Sequence, residues 1–243
     1  MHQLKSITLS LFIFFALSMK GQNAMVKSHQ MNTMEKTKPT KQHQISLKKG
    51  DLFLVISSIT KPDAQKAMNA YFQKVFPIAS KYGFKPLANL PIDNIVAGSY
   101  KPNNFFGLYT WPNKEAAASF LKELPNSELK PMRLKIWDEL KQSAIIIDQE
   151  TTLTFSNEKV YEITMLYNKK KLKEKKINKH HGKVLFSKPV SGYEDLTSGS
   201  APDYLAIIEW NSEEEARAYK YHAHGALDNE ETFYTHIQIS EDK

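Results

Sequence analysis

Apolar positions along this chain follow two periods, one strand-like and one helical, and the same succession of periods is met twice. Leu52 to Ile59 is a short β-branched run that reads as a strand. Pro62-Asp63 then opens a helix in which Ala67, Met68, Tyr71, Phe72, Val75 and Ile78 keep a 3.6-residue spacing, with Pro77 set to kink it and Gly83 to end it. Strands are expected near Lys85 to Asn89, Asn94 to Ser99 and Phe105 to Trp111, followed by a helix capped at Asn113. A further helix over Ser127 to Leu140 and a strand from Ala144 to Ile147 complete the first round. The second round starts with a strand at Val160 to Tyr167. Its first helix, Asn168 to His181, is shorter and has only Leu172 and Ile177 as apolar anchors. Tyr204 to Trp210 is a buried strand and Asn211-Ser212 its turn. Ser212 with Glu215 forms a capping box for a helix through Ala216, Tyr219 and His222 that stops at Gly225, and Phe233 to Ile239 is the closing strand.

The two rounds share one offset. Subtracting 99 (210 − 111) lays Trp210 on Trp111, Glu214 on Glu115, Ala216 on Ala117, Tyr219 on Phe120, Gly182 on Gly83 and Ser198 on Ser99, without a gap. The pattern implies an internal duplication into residues 49–150 and 151–243, each running β-α-β-β-α-β in the ferredoxin-like order of an α+β fold.

Three segments carry a family resemblance: KYGFKP (Lys81 to Pro86), LYTWPNKEAAASF (Leu108 to Phe120) and LKPMR (Leu129 to Arg133). Over residues 50–148 the chain resembles the small DUF1330-type proteins of the dimeric α+β barrel superfamily. That superfamily includes antibiotic-biosynthesis monooxygenases, muconolactone isomerase-like enzymes and several dehydratases. The resemblance implies two sheets packed face to face with helices outside. A tandem copy would supply both sheets from one chain, as a monomeric pseudo-dimer or within a homodimer.

The amino terminus adds an address. Lys5 precedes an apolar run, Ile7 to Leu17, too short to span a bilayer comfortably, and Ser18 and Gly21 offer small residues for cleavage. Residues 1–21 therefore read as a signal peptide cut before Gln22, with an uncleaved anchor as the alternative, and the protein as secreted or periplasmic. Residues 22–48 are polar and lack periodicity, and are expected to form a flexible leader. The chain has 243 residues, no cysteine and a formal charge of +7, which falls to +5 when Lys5 and Lys20 leave with the signal. Disulfides and thiolate chemistry are excluded. Phosphate-binding glycine loops, a nucleophile elbow and Rossmann fingerprints are missing, so no cofactor is expected.

Candidate chemistry is lopsided. Residues 49–150 contain no histidine, whereas the second half holds His180, His181, His222, His224 and His236 and most of the tyrosines. Imidazole and phenol move protons near neutral pH without a cofactor. His222 or His236 is expected as base, Tyr234 or Tyr221 as the acid, and Glu162 as the group orienting the histidine. His180, His181, Tyr193, Tyr204 and Lys179 are expected to bind substrate. A capping role at a helix end for His180 and His181, and core packing for His222, are the competing readings. In the closing strand His236 alternates with Tyr234, and with Glu162 and Thr164 this polar set is expected to face the barrel interior. His222-x-His224 with His236 and His180 could gather nitrogen ligands, but no metalloenzyme spacing orders them and no metal is expected. Seven lysines between Lys169 and Lys179 form either a solvated face or a funnel for an anionic substrate. Nucleic acid is not expected, since no stacking aromatics stand among these lysines. The leading expectation is a cofactor-independent lyase, dehydratase or isomerase acting on a small anionic substrate such as a sugar acid or oligosaccharide fragment. The alternatives are a cofactor-independent monooxygenase on an aromatic substrate and a non-catalytic periplasmic binding or stress protein. A site lined by His, Tyr and Glu would favour the first, an aromatic and apolar one the second.

Overall fold

Strand-forming runs and helices alternate through the chain as the two periods predict. The computed structural model describes residues 40–97, 105–167, 172–196, 199–223 and 230–237, with side chains except at 94–97, 105, 195 and 221–223. In order the elements are β1 Gln42–Leu47, β2 Leu52–Thr60, α1 Gln65–Lys81, β3 Lys85–Leu90, β4 Asn94–Ala97 and β5 Phe105–Trp111. Then come α2 Lys114–Glu123, α3 Asn126–Leu134, β6 Trp137–Ile146, β7 Thr151–Ser156, β8 Val160–Leu166 and α4 Glu174–Lys179. The last are β9 Lys183–Pro189, β10 Gly192–Asp195, β11 Tyr204–Trp210, α5 Glu213–Ala223 and β12 Glu230–Thr235. The fold is α+β with antiparallel sheets throughout.

Two five-stranded sheets have the orders β10-β6-β2-β5-β3 and β4-β12-β8-β11-β9. Within each, the four long strands follow the same order (fourth, first, third, second in chain sequence). Each half also lends one short strand to the other's sheet: β4 pairs with β12, and β10 with β6. The sheets share one core. Phe53, Val55, Phe106 and Leu108 of the first and Ile163, Phe186, Ile207 and Phe233 of the second belong to a single buried cluster. Ring pairs Phe53–Phe186 (5.3 Å) and Phe106–Phe233 (4.9 Å) cross between the sheets. Residues of the opposite parity face the helices.

Local signals place the helices. Asn113 Oδ1 accepts the Ala116 N–H at 2.8 Å, and Ser212 Oγ accepts the Glu215 N–H at 3.3 Å. After α1, Gly83 takes φ +82°, a conformation glycine reaches without a Cβ penalty. After α4 the left-handed position falls one residue earlier, on His181 (φ +67°), and Gly182 serves a different need. A Cβ on Gly182 would sit 2.6 Å from the Trp210 ring and 2.7 Å from Ile177, so glycine here permits close packing.

Several boundaries differ from the sequence reading, among them the closing strand, which runs Glu230–Thr235 where Phe233 to Ile239 was expected. Residues 42–47 are not leader but β1, which pairs with β7. Ile45 and Leu47, alternating with Gln44 and Ser46, are buried with Leu153 and Phe155 in the inter-sheet core. The helix expected to Leu140 ends at Leu134, and β6 begins at Trp137, where pairing with β2 overrides the helical propensity of the Asp138–Gln142 stretch. α4 spans Glu174–Lys179 only, and residues 168–171 of the expected helix lie outside those described.

A buried ionic network as candidate functional site

On β8 the side chains alternate between two environments. Tyr161, Ile163 and Met165 enter the inter-sheet core, and Glu162 and Thr164 point the other way, towards α5. The expectation that Glu162, Thr164 and Tyr234 line the barrel interior is therefore corrected. That interior is filled by Phe, Ile and Leu side chains, which leave no partner for a carboxylate, whereas α5 supplies one in Lys220.

Lys220 lies 2.9 Å from Glu162 Oε1 and 2.7 Å from Glu230 Oε1, with at most 6% of any of the three side chains exposed. Its ammonium also donates to Thr232 Oγ1 at 3.3 Å. Trp210 Nε1 donates to Glu162 Oε2 at 3.0 Å, and Thr164 Oγ1 to Glu162 Oε1 at 2.8 Å. Thr164 and Thr232 hydroxyls are 3.0 Å apart. Tyr234 stands directly opposite Glu162 on the neighbouring strand and is fully buried. Its hydroxyl has no hydrogen-bond partner among the described residues. Trp210 and Tyr219 rings (5.4 Å) wall the cluster, with Val160, Ile177 and Ile208 packed around them.

The electrostatics follow from this enclosure. Burial alone would lower the Lys220 pKa, but the charges and hydrogen bonds of Glu162 and Glu230 outweigh it and raise the value. Burial first, then the Glu162 charge, pushes the Tyr234 phenol up as well. That shift is against the expectation of Tyr234 as the acid, since a phenol with a raised pKa keeps its proton and can offer it as a hydrogen bond. One ammonium faces two carboxylates.

Three of the corresponding positions in the first half are apolar, while Gln142 stands where the second half has Thr232. Leu52 pairs with Trp111 as Val160 pairs with Trp210, so Leu54 stands where the second half has Glu162. The neighbouring-strand register then sets Ala144 against Tyr234 and Leu140 against Glu230. Exchanging a well-packed apolar contact for a buried ion network is neutral to destabilising by roughly 1–4 kcal/mol. Stability gives no reason for the exchange, which singles this cluster out as the candidate site.

The remaining candidates are scattered. His236 is nearly half exposed just past β12, its Nδ1 2.6 Å and its backbone N–H 2.9 Å from Asp93 Oδ2 of the first half. His180 is half-buried with its ring 5.6 Å from that of Tyr219, and Lys179 and His181 are exposed. Tyr193 is half-buried on β10 opposite Ser143 of the first sheet. Tyr204 opens β11 between Leu166 and Pro189. Tyr221 and His222 fall in the last turn of α5 with side chains outside those described, and His224 lies outside the described residues. So Glu162 and Tyr234 come together, with His180 against the Tyr219 ring that walls them. Lys220, Glu230, Thr232 and the Trp210 donor escaped the sequence reading. Their signal was a twice-repeated Glu-x-Thr, Glu162-x-Thr164 and Glu230-x-Thr232, within strand runs, and a lysine beside the buried Tyr219. Among the described residues no group of three His, Asp or Glu is arranged to hold a metal ion.

No family model and no curated protein matches the chain, so the DUF1330-type resemblance remains one of local motifs. Solved structures that it is similar to include an anthrone oxidase-like protein, 6% identical, with 81% of this chain and 94% of that one covered and a TM-score of 0.45. A proposed monooxygenase from Lactobacillus acidophilus is 10% identical, over 77% and 93% of the two chains, at a TM-score of 0.38. A heme-binding protein from Thermus thermophilus is 6% identical, over 82% and 94%, at 0.35. At such identities and TM-scores these likenesses carry no argument about activity.

Proposed function

We propose that the second half carries a cofactor-independent oxygenase site. In it a buried carboxylate takes a proton from an electron-rich aromatic substrate, and dioxygen reacts with the carbanion left behind. One observation carries this reading: an apolar helix–sheet contact in the first half is replaced in the second by Glu162, set among Trp210, Tyr219 and Tyr234. Those walls suit a flat aromatic better than a sugar acid. Two carboxylates around one ammonium also disfavour an anionic substrate, so the monooxygenase alternative displaces the lyase reading. The step balances with dioxygen as co-reactant. Glu162 removes one proton from a substrate methylene carbon, and the electron pair left there reduces dioxygen as the C–O bond forms. Glu162 returns its proton to the peroxide anion, and the hydroperoxide loses water, the second C–H leaving as a proton while the O–O bond breaks, to give the carbonyl product. Tyr234, its hydroxyl uncommitted, donates a hydrogen bond to the peroxide oxygen. Glu162 is fully buried, so on this proposal α5 would have to move off the sheet for substrate to reach it.

An oxygen electrode, with anthrones, aromatic ketones that carry an acidic ring methylene, as substrates and a chelator present, tests the proposal. Uptake matching product formation is expected, with Glu162→Gln lowering kcat by about 10²–10⁴-fold. Absent uptake, together with loss of one water from a uronate oligosaccharide, would return the site to lyase chemistry.

We further propose that the halves, 49–150 and 151–243, arose by duplication of a ferredoxin-like unit and form an intrachain barrel that is monomeric. The protein would act outside the cytoplasm after loss of residues 1–21. Sequencing of periplasmic protein should begin at Gln22, and an intact Met1 on membrane-bound product would overturn the export proposal.

A further inference from the structure

The segment from Lys173 to Lys183 carries a charge pattern that the oxygenase reading leaves unused. Lys173, Lys175, Lys176, Lys179 and Lys183 are all exposed, with Glu174 as the sole carboxylate among them. None of the five makes an ion pair with a described residue. Some other surface lysines do, Lys74 with Glu128 at 2.9 Å, Lys81 with Glu123 at 2.6 Å and Lys188 with Asp148 at 2.6 Å, while Lys66, Lys114 and Lys130 are unpaired with described residues but stand apart from one another in sequence. The contrast is sharpest with Lys81, which ends α1 as Lys179 ends α4. Helix α4 is fastened by one residue, Ile177, fully buried beside Gly182 and Trp210. Lys175 and Lys179, one turn apart, lie on the helical side opposite Ile177, with Lys176 beside them. The outward side of α4 is therefore a cationic strip that no described residue neutralises, seated on Ile177.

We propose that this strip docks a linear acidic polysaccharide bearing carboxylate or sulfate groups, and so holds the protein on an anionic matrix. Three features select that partner. No exposed apolar side chain accompanies the described lysines, since Leu172 packs against the core, so nothing would insert into a bilayer. Among the described residues of this segment no aromatic offers a stacking platform for nucleic-acid bases. The cations are all lysines, hydrated point charges that attract the spaced anions of a flexible polyanion without fixing a bidentate geometry.

Retention of the mature protein on immobilised polygalacturonate and heparin, across a salt series, tests the inference. Lys175→Gln/Lys176→Gln/Lys179→Gln should weaken binding roughly tenfold or more and flatten its salt dependence. A control removing equal charge elsewhere, Lys66→Gln/Lys114→Gln/Lys130→Gln, should change it less than about twofold, with circular dichroism showing both variants folded. Equal losses in the two variants would reduce the effect to net charge and overturn the proposal. So would no retention at low salt, or tighter binding to vesicles of anionic lipid than to either polysaccharide.

Discussion

Lys220→Met is expected to destabilise the protein by about 3–5 kcal/mol, because it leaves two buried carboxylates without their counter-ion. Glu162 and Glu230 both lie within hydrogen-bond distance of that one ammonium, and neither side chain exposes more than 2%. The loss should appear as a lowered melting temperature and denaturant midpoint. Replacing the whole set, Glu162→Leu/Lys220→Leu/Glu230→Leu, should recover most of the stability, since the first half packs Leu54 and Leu140 at two of these positions. The triple variant should nevertheless be inactive. That pairing of recovered stability with lost turnover separates a functional network from a structural one. The pH dependence has a definite sign. The Lys220 pKa is raised above its ordinary value of 10.5, so its contribution is complete below about pH 10.5 and is lost as pH climbs through the raised value. Above that range wild type and Lys220→Met should converge. A Lys220→Met protein that melts with wild type at pH 7 would show that the carboxylates are not held by this lysine.

Much of the architecture was legible because it is written in local signals. The 3.6-residue spacing of Met68, Tyr71 and Val75 and the caps at Asn113 and Ser212 are decided within one or two turns of chain, and the structure agrees at each. β6 was misread because Trp137 to Ile146 owes its strand conformation to β2, a partner some eighty residues away, and its own composition favours a helix. β1 was missed for a related reason: Ile45 and Leu47 are too few to signal a strand until β7 and the inter-sheet core receive them. The candidate site was half legible. Glu162 and Thr164 stood out as polar residues in an apolar strand, but which way they faced depended on what filled the space between the sheets. Alternation gives two faces and cannot say which is which. Counting histidines pointed to the half that also holds this network, but the network itself is built from carboxylates, a lysine and an indole.

Neither half should fold alone, and co-expression of residues 40–150 with 151–243 should restore a soluble one-to-one complex. Two features require this. First, the sheets are each other's core: a separated first half would bare Phe53, Val55, Phe106 and Leu108, and a separated second half Ile163, Phe186, Ile207 and Phe233. An exposed apolar face of that extent promotes aggregation. Second, each half carries a strand whose ladder lies in the other, β4 on β12 and β10 on β6, so separation strands backbone groups as well as side chains. Polar contacts would also be broken. Arg133, on α3, donates to Glu194 of β10 at 2.7 Å and to the Tyr71 hydroxyl of α1 at 3.1 Å, tying the exchanged strand to the helices that cover the first sheet. Inclusion bodies, or a soluble species that binds a hydrophobic dye and lacks a cooperative melt, are expected of either fragment. Light scattering of the co-expressed pair should give the mass of one of each. Two soluble, monomeric fragments that melt cooperatively and do not associate would show that the exchanged strands are dispensable and that the halves are separate domains.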